Sequence, residues 1–165
     1  MATYLIIDGY NLIGMKGGMG GALDIQRSKL IQVLKRYSEI KGYPILVVFD
    51  GWRSGLSQIQ EETHGGVHVI FSRHGEKADE IIKRLAFKLK SACVVVSSDR
   101  EVSRHAESCG AVSIRAGEFD QRLEKSLRGE FDRTEETDIV PNVRRGNPRR
   151  LSKIERKRQR KLAKL

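Results

Sequence analysis

The chain is poor in cysteine and has no long apolar run. Cys93 and Cys109 are its only cysteines in 165 residues, too few for a disulfide framework, and no Cys or His pairing has zinc-site spacing. No stretch approaches the roughly 18 consecutive apolar residues that a membrane span needs. The start, "MATYLIID", lacks the basic, apolar and small-residue segments of a signal or transit peptide. These absences point to a soluble protein of a reducing cytoplasm, with no membrane partner. There is no internal repeat. The glycine-rich stretch "GMKGGMGG" (14–21) is followed by no Gly-Lys-Ser/Thr and contains no G-x-G-x-x-G, so it is not a nucleotide-phosphate loop. No Ser-His-Asp or Cys-His arrangement is readable from spacing, and the glycines between His64 and His68 break the helix that a zinc pair would need.

What is abundant is charge, and it is unevenly placed. The net charge is +10, yet residues 144–165 hold eleven Lys or Arg and a single acid, Glu155, leaving 20 basic and 20 acidic residues in 1–143. A neutral body with a basic tail implies a polyanionic partner, with nucleic acid first and an anionic membrane surface second. The candidate contacts in the tail are Arg144, Arg145, Arg149, Arg150, Arg156, Lys157 and Arg158.

Apolar runs suggest strands at 3–8, 44–50, 67–72, 93–99 and 111–115, mostly continuous as in strands buried on both faces of a parallel sheet. Leu30, Leu34, Tyr37 and Ile40 mark one face of a helix starting after Asp24 and stopping at Gly42. Ala78, Ile82, Leu85 and Leu89 mark a second helix, 100–110 forms a third, and 116–128 a fourth. The alternation predicts an α/β fold of three layers around a mainly parallel sheet of about five strands. The domain spans 1–130, a linker 131–150, and a basic segment 151–165. That segment forms a helix capped by Ser152, with Leu151, Ile154, Leu162 and Leu165 too scattered to hold it without a partner.

Three predicted strands end in aspartate: Asp8, Asp50 and Asp99. In a parallel sheet all carboxyl ends share one edge, where open α/β sheets bind ligands. Asp79, at the start of the helix after the third strand, joins them. Such a cluster repels itself unless a divalent cation intervenes, and all-oxygen ligands favour Mg2+ or Mn2+. The plainer alternative is turn chemistry at each strand end and helix-start stabilisation by Asp79.

"IIDGYN", "VVFDG", "ADEIIKRLA" and "VVVSSDRE", in that order, resemble the YacP-type NYN domains, a branch of the PIN-like metal-dependent ribonucleases. The resemblance covers about residues 3–127. It implies a central parallel sheet and an Mg2+ or Mn2+ site, held by Asp8, Asp79 and Asp99, that cuts single-stranded RNA. Asn11 and Asp50 stand beside the cluster, and Ser97 or Ser98 would orient Asp99. The best-known relatives act on messenger RNA at the ribosome. They carry threonine where this chain has Lys77, and they differ after "SSD" and in the C-terminal region, so the chemistry carries over better than the ribosome does.

The expected function is therefore a metal-dependent endoribonuclease, a monomer or weak homodimer, with RNA and the ribosome as partners. Lys16, on a loop closing over RNA, and Arg100 would touch phosphate, while Trp52 and Arg53 would stack on an unpaired base. Glu76, Glu101 and Asp120 lie near the same edge and are set aside. Two alternatives remain: a noncatalytic RNA-binding protein of the same fold, and a haloacid-dehalogenase-like phosphatase. The second requires an Asp-x-Asp pair, whereas Asp8 is followed by Gly9 and Tyr10.

Overall fold

A computed structural model describes residues 2–16, 21–51, 57–129 and 153–165. Continuous runs of Val, Ile and Leu form strands β1 (Tyr4–Asp8), β2 (Ile45–Phe49), β4 (Val67–Phe71), β5 (Cys93–Val96) and β6 (Val112–Ile114). A further strand, β3 (Gln60–His64), precedes β4. The helices are α1 (Gly9–Met15), α2 (Leu23–Lys41), α3 (Ala78–Leu89), α4 (Arg100–Ser108), α5 (Ala116–Leu127) and α6 (Lys153–Ala163).

The sheet runs β3-β4-β2-β1-β5-β6, with every pairing parallel except β3 with β4. It has one strand more than the sequence suggests. Each residue of "QEETH" in β3 is exposed or nearly so, because β3 is an antiparallel edge strand that buries neither face. It therefore carries no apolar signature.

The pleat sends alternate residues of each parallel strand to opposite cores. Leu5, Ile7, Val47, Phe49, Val94 and Val96 meet α1, α2 and α5 on one side. Ile6, Val48, Cys93 and Val95 meet α3 and α4 on the other. Burial on both faces explains the unbroken apolar runs and makes three layers.

After Asp8 the chain enters the short helix α1, which has no counterpart among the predicted helices. One expectation needs correction. The basic segment does not wait for a foreign partner to order, because α6 packs along its own domain. Leu165 is only 4% exposed in the α2/α5-side core, and Leu162 packs against the same cluster. Polar contacts supply what the thin apolar stripe cannot. The Tyr37 hydroxyl donates to the Leu165 carbonyl at 2.5 Å, Tyr43 to that of Lys164 at 3.0 Å, and Arg122 to that of Leu162 at 2.5 Å. Arg158 donates to the Ser113 carbonyl on edge strand β6 at 3.4 Å, which covers part of an otherwise open edge. The linker, Leu151 and Ser152 lie outside the described residues.

Candidate active site

β4 lies on one side of the β1–β2 pair, and the chain then crosses through α3 to β5 on the other side of β1. The strand order therefore reverses between β1 and β5, the switch point where open α/β sheets leave a crevice at their carboxyl ends. Asp8 ends β1 and Asp99 lies just beyond β5 as the cap of α4, so the two flank that crevice at the ends of neighbouring parallel strands.

Each strand-end aspartate is also tied to a helix start. Asp8 Oδ1 accepts the Asn11 backbone N–H at 3.2 Å and caps α1. Asp99 Oδ1 accepts the N–H groups of Glu101 at 2.7 Å and Val102 at 3.2 Å, capping α4. Asp50 reaches across 28 residues to accept the Ala78 N–H at 2.6 Å, the first residue of α3. The turn-chemistry reading is thus part of the truth, since Asp is a preferred N-cap. It uses only Oδ1 in each case; Oδ2 accepts no hydrogen bond from any described residue. Three helix N-termini, positive ends of their macrodipoles, meet this edge and help to hold negative charge there.

The remaining contacts brace the crevice. The Asn11 side-chain oxygen accepts the Ser98 N–H at 2.9 Å, bridging the switch point. Its amide therefore serves the β5–α4 turn, while its backbone serves Asp8. Fully buried Ser97 accepts the Asp99 N–H at 3.1 Å, and Ser98 Oγ accepts the Ala116 N–H at 3.3 Å. Both hydroxyls shape the turn that carries Asp99. Gly9 lies under the Phe49 ring so closely that a Cβ would sit 2.2 Å from it. Gly51 donates to Ser72 Oγ at 3.0 Å, and a Cβ there would stand 1.8 Å from the Ser72 carbonyl oxygen.

The charges of the other carboxylates are felt at Asp8 and Asp79. The Asp8 carboxyl is pushed up to about 6, first by burial and then by the charges of Asp79, Asp50 and Asp99, against the lowering effect of the Asn11 hydrogen bond. Asp79, in the first turn of α3, is raised by burial and then by Asp99 and Asp50, with Lys83 and Lys77 opposing. Among the described residues no three acidic, His or Cys side chains are gathered tightly enough to grip a bare ion. The set fits a hydrated one: the donors are all oxygen, and Mg2+ commonly keeps several waters while using one or two carboxylates.

Lys16 is committed elsewhere, pairing with Asp120 at 2.6 Å and Glu124 at 3.9 Å on α5 and only 17% exposed. Arg100 is exposed beside Asp99 at the first position of α4. Trp52, Arg53, Arg144, Arg145, Arg149 and Arg150 lie outside the described residues. Arg156 and Lys157 are exposed on α6, whereas Arg158 is engaged with Ser113 and stands 4.0 Å from Glu107. Glu76, set aside on sequence grounds, is 10% exposed and clamped by Arg84 at 2.6 Å and Arg73 at 3.6 Å. Two neighbours escaped the sequence reading. Lys83, one turn after Asp79, binds Glu101 at 2.5 Å and Glu80 at 3.4 Å between α3 and α4. Ser72 holds the turn after Asp50. Of the pair, only Lys83 left a legible trace, its i,i+4 spacing from Asp79.

The mainly parallel α/β sheet with acidic side chains at its switch point is an architecture that nuclease-like NYN domains share. The chain matches the model of the YacP-like NYN domain over residues 5–165 and belongs to that family. It is 36% identical over 92 residues to YacP of Bacillus subtilis (strain 168), a match covering 53% of each chain, so it aligns with about half the length of that relative. The crystal structure of Rae1 (YacP) from Bacillus subtilis, in a point-mutant form, superposes with a TM-score of 0.63 at 30% identity, covering 77% of this chain and 78% of that one. Another crystal structure of Rae1 (YacP) from the same organism gives 0.59 at 29% identity, covering 79% and 78%. The family is nuclease-like. No helix among the described residues is long and apolar enough to cross a membrane.

Proposed function

We propose that this protein is an endoribonuclease that hydrolyses single-stranded RNA at the acidic edge, using Mg2+ or Mn2+ held by Asp8, Asp79 and Asp99. The observation that carries the reading is the convergence of four carboxylates at the switch point, where burial and then the neighbouring charges raise the proton affinity of Asp8 and Asp79. A bound divalent ion would supply Lewis-acid polarisation of the phosphate and a more acidic water. The chain's own residues supply position. Asp8 stands at the end of β1 and Asp99 in the braced turn between β5 and α4, Asp50 fixes the start of α3 and with it Asp79, and Asn11 joins the two sides of the crevice. Ser97 and Ser98 hold the Asp99 turn, and exposed Arg100 is available to a substrate phosphate. Messenger RNA on the ribosome, met in the cytoplasm by a monomer or weak homodimer, is the setting the family resemblance favours.

Asp99→Asn is the decisive variant. Asn is as good an N-cap as Asp, so α4 keeps its start while the charge disappears. Cleavage of single-stranded RNA in Mg2+ or Mn2+ should fall by about 100-fold or more with an unchanged circular dichroism spectrum. Undiminished cleavage would remove Asp99 from the site. The capping role of all three strand-end aspartates favours one other reading, a noncatalytic RNA binder that keeps them for structure. Wild-type protein that binds RNA yet leaves it intact with either metal would establish that reading.

A further inference from the structure

The docked helix α6 sorts the cations of the basic segment into two sets. Arg158, Lys161, Leu162 and Leu165, at i, i+3, i+4 and i+7, turn toward the domain. Lys161 donates to the Ser91 carbonyl, and Arg158 is engaged with β6. Lys153, Lys157, Arg160 and Lys164, at i, i+4, i+7 and i+11, are all exposed and share the outward face. That stripe is about 16 Å long at 1.5 Å per residue.

The lower part of the stripe borders a cleft of about 190 Å³. Its walls are Thr3, Tyr43, Lys157, Arg160, Lys161 and Lys164, with Leu165 at the base and no acidic residue. Thr3 directly precedes β1, Tyr43 stands two residues before β2, and Ser91 lies in the turn that leads into β5, so the cleft sits at the amino edge of the sheet. The carboxylates occupy the opposite edge, about 17 Å away for five strand residues at roughly 3.3 Å each.

We infer that Lys157, Arg160 and Lys164, displayed by the docked helix, form an RNA-backbone anchor separate from the acidic edge. The ligand class rests on the nuclease reading above; the place and the residues do not. RNA phosphate fits better than a lipid surface, because an interfacial membrane helix needs an apolar face to insert, and here Leu162 and Leu165 are spent on the domain. Cations repeating about once per helical turn, with no acid among them, match a run of phosphates. The anchor supplies affinity where the acidic edge, without metal, repels phosphate. An RNA long enough to span the sheet would engage both edges, and a shorter one only the acidic edge.

The test is binding of a labelled oligouridylate to the full chain in EDTA across a salt series, comparing wild type with K157Q/R160Q/K164Q. The variant should bind about 10-fold or more weakly, and its slope of log affinity against log salt should flatten by about 2, near 0.7 per lost phosphate contact. Its thermal midpoint should be unchanged, since the three side chains are exposed. The K157R/R160K/K164R exchange should restore binding. Equal affinity and slope in the Gln variant overturns the anchor, as does wild type that ignores the RNA but binds phosphatidylglycerol vesicles. RNA bound through these residues but never cut with Mg2+ or Mn2+ sinks the nuclease reading and leaves the anchor standing. RNA cut normally by a chain whose binding ignores the substitutions does the reverse.

Discussion

Asp50 Oδ1 accepts the backbone N–H of Ala78 at 2.6 Å, fastening the end of β2 to the first residue of α3. One carboxylate thereby sets where the next, Asp79, enters the crevice. Asp50→Ala should cost about 1–2 kcal/mol in urea unfolding, because a buried helix-start donor loses its acceptor. Asp50→Asn keeps the acceptor and should cost much less. If cleavage survives in the Asn variant, Asp50 is a brace; if it vanishes with the fold intact, the charge acts in the site.

Asn11 and Ser98 bridge the switch point in the same manner. Asn11→Ala should lower stability by about 1 kcal/mol, the usual net worth of one such hydrogen bond. It should also loosen the turn carrying Asp99. Hydrogen exchange at the Ser98 and Asp99 amides should quicken relative to the β5 core, and unaltered protection would contradict the bridge.

The Asp8 carboxyl titrates near 6 in the folded chain against an ordinary value of 3.8. The native state therefore holds this proton more tightly than the unfolded state does. The stability contributed by protonation is complete below about 4 and is lost as pH rises through about 6, an effect of up to about 3 kcal/mol. In EDTA, urea unfolding should show stability declining across that window. Asp8→Asn, which retains the cap, should flatten the decline and be the more stable protein at neutral pH. A profile identical to wild type would mean that neither burial nor its neighbours hold the proton on Asp8.

Gly51 has no room for a side chain, since a Cβ would stand 1.8 Å from a backbone carbonyl oxygen that cannot swing away. Gly51→Ala should destabilise the protein by at least about 2 kcal/mol through overpacking. Thermal melting reads this directly, and a midpoint equal to wild type would refute the close approach.

Docking of α6 rests on few contacts, so single changes should release it. Tyr37→Phe deletes the hydroxyl that holds the Leu165 carbonyl, at a cost of about 1 kcal/mol, and Leu165→Ala should cost about 2 kcal/mol. In both variants limited trypsin digestion should cut sooner between Lys153 and Lys164. An unchanged cutting rate would mean that the helix is not held as described.

The parallel strands were legible because both of their faces are buried, which leaves unbroken runs such as Leu5–Ile7 and Val94–Val96. The acidic edge was legible for a related reason: parallel strands place all their carboxyl ends together, so Asp8, Asp50 and Asp99 could be assigned to one side before their neighbours were known. β3 was hidden because an exposed antiparallel edge has no apolar code. The helix α1 was hidden because Gly9, Tyr10 and Asn11 are weak helix formers, started here by the Asp8 cap. Lys16 looked like a phosphate contact until Asp120 and Glu124, far along the chain, were brought beside it.

Periodicity and residue type by themselves determined the layers, the strand-end aspartates and the imbalance of charge, because burial and turn chemistry act over a few neighbouring residues. Only the tertiary structure decided which carboxylates feel one another and which cations remain free. Coulomb interactions and hydrogen bonds depend on separation in space, and the order β3-β4-β2-β1-β5-β6 creates separations that distance along the chain does not predict. The same physics placed the basic helix: the Leu162 and Lys164 carbonyls found donors on Arg122 and Tyr43, and the remaining cations were left facing water at the edge opposite Asp8.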